Sequence, residues 1–336
     1  MNKHYLIKIC NKFDLGQPQD EPKRVHGGLL HAMWRINANH KSYAVKQLSK
    51  DIKLTEEVKK NYELTENIAF QFSQFDIPAI SALEISGKHL YEISGTAFLV
   101  YPWVDAKAID KDMVSEDHAL KIAVILAKLH LINLDIPELL EPEFDVHSSI
   151  VIKALIAKAV LTQCSFANLL EQYQEKIIRI NEEYHKMIPI LKKTIVVSHG
   201  DLDQKNTLWD LDNHPFLIDW EAARKLNPTY EIIDASLNWS GITTDYFNQT
   251  LFIKMLKAYI QAGSLIDKNI IKAVFYGILG NWLNWMVYNI ERSCKNDIEN
   301  CDQQKLGIEQ VHQVLPTIIR LEELIPSLII LIDNEM

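Results

Sequence analysis

The rhythm of apolar positions changes near residue 103 of this chain. Before it, short apolar runs alternate with turns; beyond it, apolar residues recur every three or four positions. A short amphipathic helix is predicted over 4–13, stopped by Asp14-Leu-Gly16 and followed by a polar stretch from Gln17 to Lys23. Strands are predicted at Met33–Ile36 and Ser42–Leu48, around a turn at Asn37–Lys41. Thr55, with two glutamates behind it, marks the N-cap of a helix reaching Phe75 and ended by Pro78. Further strands are predicted at Ala82–Ile85, His89–Ile93 and Ala97–Trp103, the last broken by Pro102. Helical periodicity then dominates: Glu116–Leu131, Ser149–Glu171, Gln172–Met187, Tyr246–Ala262, Lys268–Glu291 and Gln304–Ile332. One strand-like insert, Ile195–Ser198 through Phe216–Ile218, interrupts that series. The expected fold class is α+β, with a small β-rich N-lobe over 1–103 and a larger, mostly helical C-lobe over 104–336.

Composition narrows the function classes. Hydrophobic residues at 48% and charged ones at 24% fit an ordinary globular core. A net charge of -9 argues against a general nucleic-acid binder, which needs a basic stripe, and tilts a small substrate towards a cationic one. Cys10, Cys164, Cys294 and Cys301 form no CxxC pair, so neither a zinc site nor a redox motif is predicted. The N-terminus lacks the apolar run of a signal peptide, and the apolar tail from Leu324 to Ile332 is too short to span a bilayer. A cytoplasmic protein without membrane or nucleic-acid partners is expected.

The insert carries the chemistry. His199-Gly-Asp-Leu-Asp-Gln-Lys-Asn206 is followed by Leu217-Ile-Asp-Trp-Glu221. Phosphoryl transfer needs a carboxylate to orient an acceptor hydroxyl, and oxygen ligands to hold magnesium on a triphosphate. Asp201 is the candidate for the first role, Asn206 and Asp219 for the second, with His199 bracing the loop. The segment from Thr207 to Ile218 reads as a hairpin turning at Asp212-Asn213, which would set Asn206 beside Asp219.

These motifs resemble the aminoglycoside phosphotransferase and choline kinase superfamily, whose fold is protein-kinase-like. The first matches its HxDxxxxN catalytic loop and Ile218-Asp-Trp-Glu221 its metal-binding segment. Leu126-Ala-Lys-Leu-His130 is similar to the helix end that precedes that loop. Gly27-Gly-Leu-Leu-His-Ala-Met-Trp-Arg35 and Tyr43-Ala-Val-Lys46 resemble its phosphate loop and lysine strand, and the likeness spans about residues 20–240. The resemblance implies ATP and Mg2+ as cofactors and a bilobal enzyme with ATP between its lobes. It implies that Gly27 and Gly28 cradle phosphates and that Lys46 binds the α- and β-phosphates. Its helix partner would be Glu66, with Glu63 also within spacing. Adenine would meet the backbone near Tyr101, and Glu221 would stand behind the metal ligands.

Asp203 and Lys205 depart from the family's usual loop, and they read as a local ion pair or as acceptor contacts. Trp282, Trp285 and Asn289 share one helical face, which reads as core or as a pocket for a cationic headgroup. The expected activity is transfer of the γ-phosphate to a hydroxyl of a small molecule: an aminoglycoside-like antibiotic, an amino alcohol or a related metabolite. The competing readings are a non-catalytic nucleotide-binding module and a protein kinase. The absence of GxGxxG, HRD and APE elements weighs against the latter.

Overall fold

The computed structural model describes residues 1–25, 31–49, 52–294 and 301–336. In chain order the elements are α1 (Lys3–Lys12), β1 (Lys23–Val25), β2 (Ala32–Ala38), β3 (Lys41–Gln47), α2 (Glu56–Ser73), β4 (Tyr91–Ile93), β5 (Thr96–Pro102), β6 (Lys107–Ala108), α3 (Glu116–Ile132), α4 (Ser149–Leu161), α5 (Ala167–Leu191), β7 (Val196–Ser198), β8 (Thr207–Trp209), β9 (Pro215–Leu217), β10 (Arg224–Leu226), α6 (Pro228–Trp239), α7 (Gln249–Gln261), α8 (Ile271–Ser293) and α9 (Cys301–Glu335). The fold is mixed, β-rich towards the N-terminus and helical towards the C-terminus. Contacts group the chain into two compact units: Met1–Met113 with His199–Ala223, and Val114–Ser198 with Arg224–Met336.

The first unit is built on an antiparallel sheet in the order β1-β2-β3-β5-β4. β2 and β3 meet through Asn39 and His40, both at positive φ. That tight turn matches the right-handed strand twist, and asparagine tolerates it well. Strand alternation separates two faces. Val45, Phe98 and Val100 pack with Leu6, Ile9 and Phe13 of the N-terminal segment. Leu99 packs with Tyr62 of α2 on the other face. Each such buried side chain contributes about 1.5–3 kcal/mol. Lys46, one residue on from Val45 and opposite Leu99, therefore points to the α2 face. The Thr55 hydroxyl accepts from Val58 N and caps α2 as the sequence indicates.

The motif segment joins this unit through backbone bonds. Leu217 N donates to Pro78 O (2.7 Å) and Ile80 N to Leu217 O (2.9 Å), so the chain after α2 lies along β9. The expected division at residue 103 follows sequence character alone; by contacts, 104–113 and 199–223 also belong with the first 103 residues. The segment Ala82–Ile85, expected as a strand, bonds elsewhere: Leu83 N reaches Val100 O, and only Ile85 makes a bridge, to Lys88.

The second unit is helical apart from the short antiparallel pair β7–β10. Its expected helix breaks move. Ser149–Glu171 does not run through: α4 ends at Leu161, Gln163 takes a left-handed φ of 55°, and Cys164 N closes the turn on Ala159 O (3.0 Å). The chain then continues unbroken in α5 to Leu191, past the expected junction at Gln172. α6 opens at Asn227 followed by Pro228, a helix-start signal, and includes Asp234, whose charge reads in the sequence as one near a helix N-terminus. α5 and α8 approach closely at Gly280, where an added Cβ would stand 2.3 Å from the Tyr184 ring. Elsewhere in this unit, His130 of α3 bonds Tyr259 (2.7 Å), Ser198 (3.0 Å) and Glu231 (2.9 Å), a buried and satisfied polar cluster.

Candidate active site

The β8–β9 hairpin does what its sequence suggests. Thr207 pairs with Leu217, and one step outward Ile218 N donates to Asn206 O (3.0 Å). Asn206 and Asp219 thus stand at adjacent hairpin ends, with Asn213 at φ 63° in the turn. His199 is fully buried against Trp220, ring centroids 4.6 Å apart. Its Nδ1 faces Asp201 N (3.4 Å), so Nε2 carries the proton and donates to Ile218 O (3.1 Å). One imidazole therefore pins the start of the His199–Asn206 segment to the hairpin. Gly200, between His199 and Asp201, holds φ at 79°, where a side chain would be strained.

Both amide N–H groups of Asn206 are spent on Asp201, one on its backbone O (2.7 Å) and one on its Oδ2 (2.8 Å). The amide oxygen is left as the end available to a cation. Lys205 Nζ also reaches Asp201 Oδ2 (3.1 Å) and, on its other side, Asp203 Oδ2 (3.0 Å). Burial of the Asp201 setting raises its pKa, and the Lys205 charge opposes that rise. Burial likewise disfavours the Lys205 charge, but Asp201 and Asp203 outweigh it and hold the ammonium above the ordinary lysine value. Asp203 and Lys205 are thus the local ion pair that the sequence suggested, with Asp201 included in it.

Lys46 is buried, and its partners correct the expected pairing. Its Nζ donates to Asp219 Oδ1 (2.8 Å) and to Glu221 Oε1, and both lie in the same short segment after β9. Burial lowers the Lys46 pKa, but the two carboxylates more than restore it. Neither helix glutamate pairs with it. Glu66 is buried and accepts from Tyr101 Oη and from Ala82 N (2.7 Å). Glu63 accepts from His89 N (2.7 Å) and Leu90 N (3.0 Å). Each is fully engaged by the loop and strand beside α2, which explains why spacing along that helix misleads. Tyr101, expected for its backbone, directs its hydroxyl at Glu66.

Glu221 is more central than the sequence suggested. His31 Nδ1 accepts from Ser49 N (3.2 Å), so its Nε2–H donates to Glu221 Oε2 (3.3 Å), and Tyr62 Oη lies 3.5 Å from the same oxygen. Burial pushes the Glu221 pKa up, but the His31 hydrogen bond and the Lys46 charge hold it at about 2. His31 and Tyr62 escaped sequence reasoning; the only signal was a histidine immediately before the lysine hairpin. Asp219 adopts a left-handed backbone, φ 62° and ψ 59°. That costs a non-glycine residue about 1–2 kcal/mol, and aspartate tolerates it better than most. Gly27 and Gly28 lie outside the described residues.

The aromatic face of α8 does not assemble. Trp285 is at the surface, stacked on Tyr288, with its indole N–H on Gln310 Oε1 (3.1 Å). Asn289 is completely buried and donates back to Trp285 O (2.8 Å). α9 closes over that face: an added Cβ at Gly307 would come within 3.0 Å of Asn289 O. Trp282 is half-buried on the same helix. A shared pocket of Trp282, Trp285 and Asn289 is therefore replaced by a helix–helix contact.

This architecture is shared with solved kinases of small molecules. A spectinomycin phosphotransferase in complex with ADP and spectinomycin has a TM-score of 0.70 at 13% identity, over 96% of this chain and 99% of that one. An ethanolamine kinase from Plasmodium vivax reaches 0.61 at 16% identity, over 93% and 89%. An amicoumacin kinase in complex with AMP-PNP, Ca2+ and Ami reaches 0.63 at 13% identity, over 94% of each. Such likeness defines the class as a protein-kinase-like fold. Residues 21–264 match the phosphotransferase enzyme family, and the chain belongs to that family. No curated protein sequence matches it.

Proposed function

We propose that this enzyme transfers the γ-phosphate of ATP to a hydroxyl of a small, amine-bearing acceptor in the cytoplasm, with Mg2+ as cofactor. The observation that carries the reading is the convergence on one hairpin base of two bonded pairs, Asn206 with Asp201 and Lys46 with Asp219, linked by the Ile218 N to Asn206 O bond. The donor set suits magnesium, since the Asn206 amide presents its oxygen and Asp219 a carboxylate, both hard ligands. Held by these two, the ion would neutralise charge developing on the phosphates.

The remaining roles fall to side chains. Asp201 accepts the hydrogen bond of the acceptor hydroxyl and takes its proton as the new O–P bond forms and the bond from the γ-phosphorus to ADP breaks. Asn206 fixes the rotamer of that carboxylate and His199 the course of its backbone. Lys46, steadied by Asp219 and Glu221, supplies charge to the phosphates that stay with ADP. Lys205, bonded to Asp201, opposes the rise that burial gives the Asp201 pKa.

Relatives in fold act on spectinomycin, ethanolamine and amicoumacin. Together with the net charge of -9, this supports an amine-bearing acceptor. The test is incubation with ATP and Mg2+ across a panel of amino alcohols and aminoglycosides, following ADP and phosphate esters by phosphorus NMR. Acceptor-dependent ADP release matched by an ester is expected. Phosphate appearing only on protein, or no acceptor-dependent release, would refute the reading.

A further inference from the structure

Two of the four cysteines, far apart in sequence, are brought together within the helical unit. Cys164 follows α4 and Cys294 caps α8, yet their sulfurs are 3.8 Å apart, across 130 residues of chain. Both lie in the helical unit. Both backbones are fixed: Cys164 N donates to Ala159 O (3.0 Å), and Cys294 N to Ile290 O (3.0 Å). The sulfurs therefore face each other without a loop having to move. Thr162 Oγ1 lies 3.4 Å from one sulfur and 3.5 Å from the other, so a hydroxyl stands over the pair. A disulfide needs the sulfurs at about 2 Å, so the two side chains must rotate towards each other to close the remaining gap.

We propose that Cys164 and Cys294 form a modification site at which a hydroperoxide converts the two thiols to a disulfide. The partners are unequal. Cys164 is half-buried and Cys294 only 4% exposed. Burial holds the Cys294 thiol up, against a Thr162 hydrogen bond that lowers it, and Cys164 is the more exposed sulfur, so Cys164 is the first attacker. The Cys164 thiolate attacks a peroxide oxygen, the O–O bond breaks, and an alcohol or water leaves with the proton given up by the thiol. The resulting sulfenic acid is attacked at sulfur by Cys294; the S–S bond forms, the S–O bond breaks, and the Cys294 proton departs in water. The net reaction of two thiols with one hydroperoxide gives one disulfide, one alcohol (water for hydrogen peroxide) and one water. The product staples the end of α4 to the end of α8. It closes a long loop, so it should limit the unfolded chain and raise Tm.

The experiment uses the full chain and hydrogen peroxide. Non-reducing digestion should yield a Cys164–Cys294 linked peptide, with Cys10 and Cys301 still alkylated, and a Tm increase that dithiothreitol reverses. Cys164→Ser and Cys294→Ser should each abolish both the linked peptide and the Tm increase while keeping the untreated Tm within a few degrees. If either variant fails to fold, the wild-type peptide map decides alone. A Cys294–Cys301 link, or Cys164 driven to sulfinic acid with Cys294 still free, overturns the proposal.

Discussion

Asp201, Asn206 and Lys205 form a unit in which each side chain constrains the next. If Asp201 is the base proposed above, Asp201→Ala should lower kcat by about 10²–10⁴ while leaving nucleotide affinity within a few-fold. Calorimetry beside steady-state kinetics separates the two effects; an unchanged kcat would remove Asp201 from the reaction. Lys205→Met tests the charge beside it. Burial raises the Asp201 pKa and Lys205 opposes that rise, so its removal should raise the pKa further. With Asp201 as the proposed base, acting when ionised, the acid limb of the kcat profile should move to higher pH, with the plateau less affected. A limb that stays in place or moves to lower pH would contradict that coupling. Glu221 gives the converse case for stability. Its folded pKa of about 2 lies below the ordinary carboxylate value. Its contribution is therefore present above the unfolded pKa and lost as pH falls towards 2. Glu221→Gln should flatten the acid decline of Tm in that window.

At the scale of elements, helices were legible wherever an apolar stripe was long. Val311, Leu315, Ile318, Leu321, Ile325, Leu328 and Ile332 are all buried on one face of α9, as their spacing demands. The β8–β9 hairpin was equally legible, because its turn chemistry and its two flanking motifs agree. β1, β6 and β10 are two or three residues long and carry no periodicity to read. The break between α4 and α5 was misplaced because Gln163 takes a left-handed conformation without being glycine or asparagine. The partner of Lys46 was misassigned for a different reason. An ion pair 173 residues apart in sequence leaves no local trace, and two helix glutamates offered a nearer answer. Gly280 tests the packing of these helices. Gly280→Ala pushes a methyl into the Tyr184 ring, with an expected cost of about 1–3 kcal/mol. Denaturant unfolding should show the loss; an unchanged midpoint would mean that α5 and α8 do not depend on that close approach.

For the whole molecule, charge makes the widest claim. A net charge of -9 should draw a cationic acceptor electrostatically, so kcat/KM for such an acceptor should fall with ionic strength. A neutral analogue should show a flatter dependence. Equal slopes for the two would deny electrostatics a part in acceptor choice. Among the described residues no helix is long and apolar enough to cross a membrane. The second unit spends its conspicuous residues on its own interior: His130 and Glu231 on each other, and Asn289 under α9. The motif residues gather instead in the first unit, at the base of one short hairpin beside Lys46.

The most direct measurement is the affinity for an ATP analogue with and without a divalent ion, in wild type, Asn206→Ala and Asp219→Ala. Wild type should bind the analogue much more tightly with Mg2+ than without, and both variants should lose most of that difference while still melting cooperatively. Equal metal dependence in all three proteins would contradict the site described here.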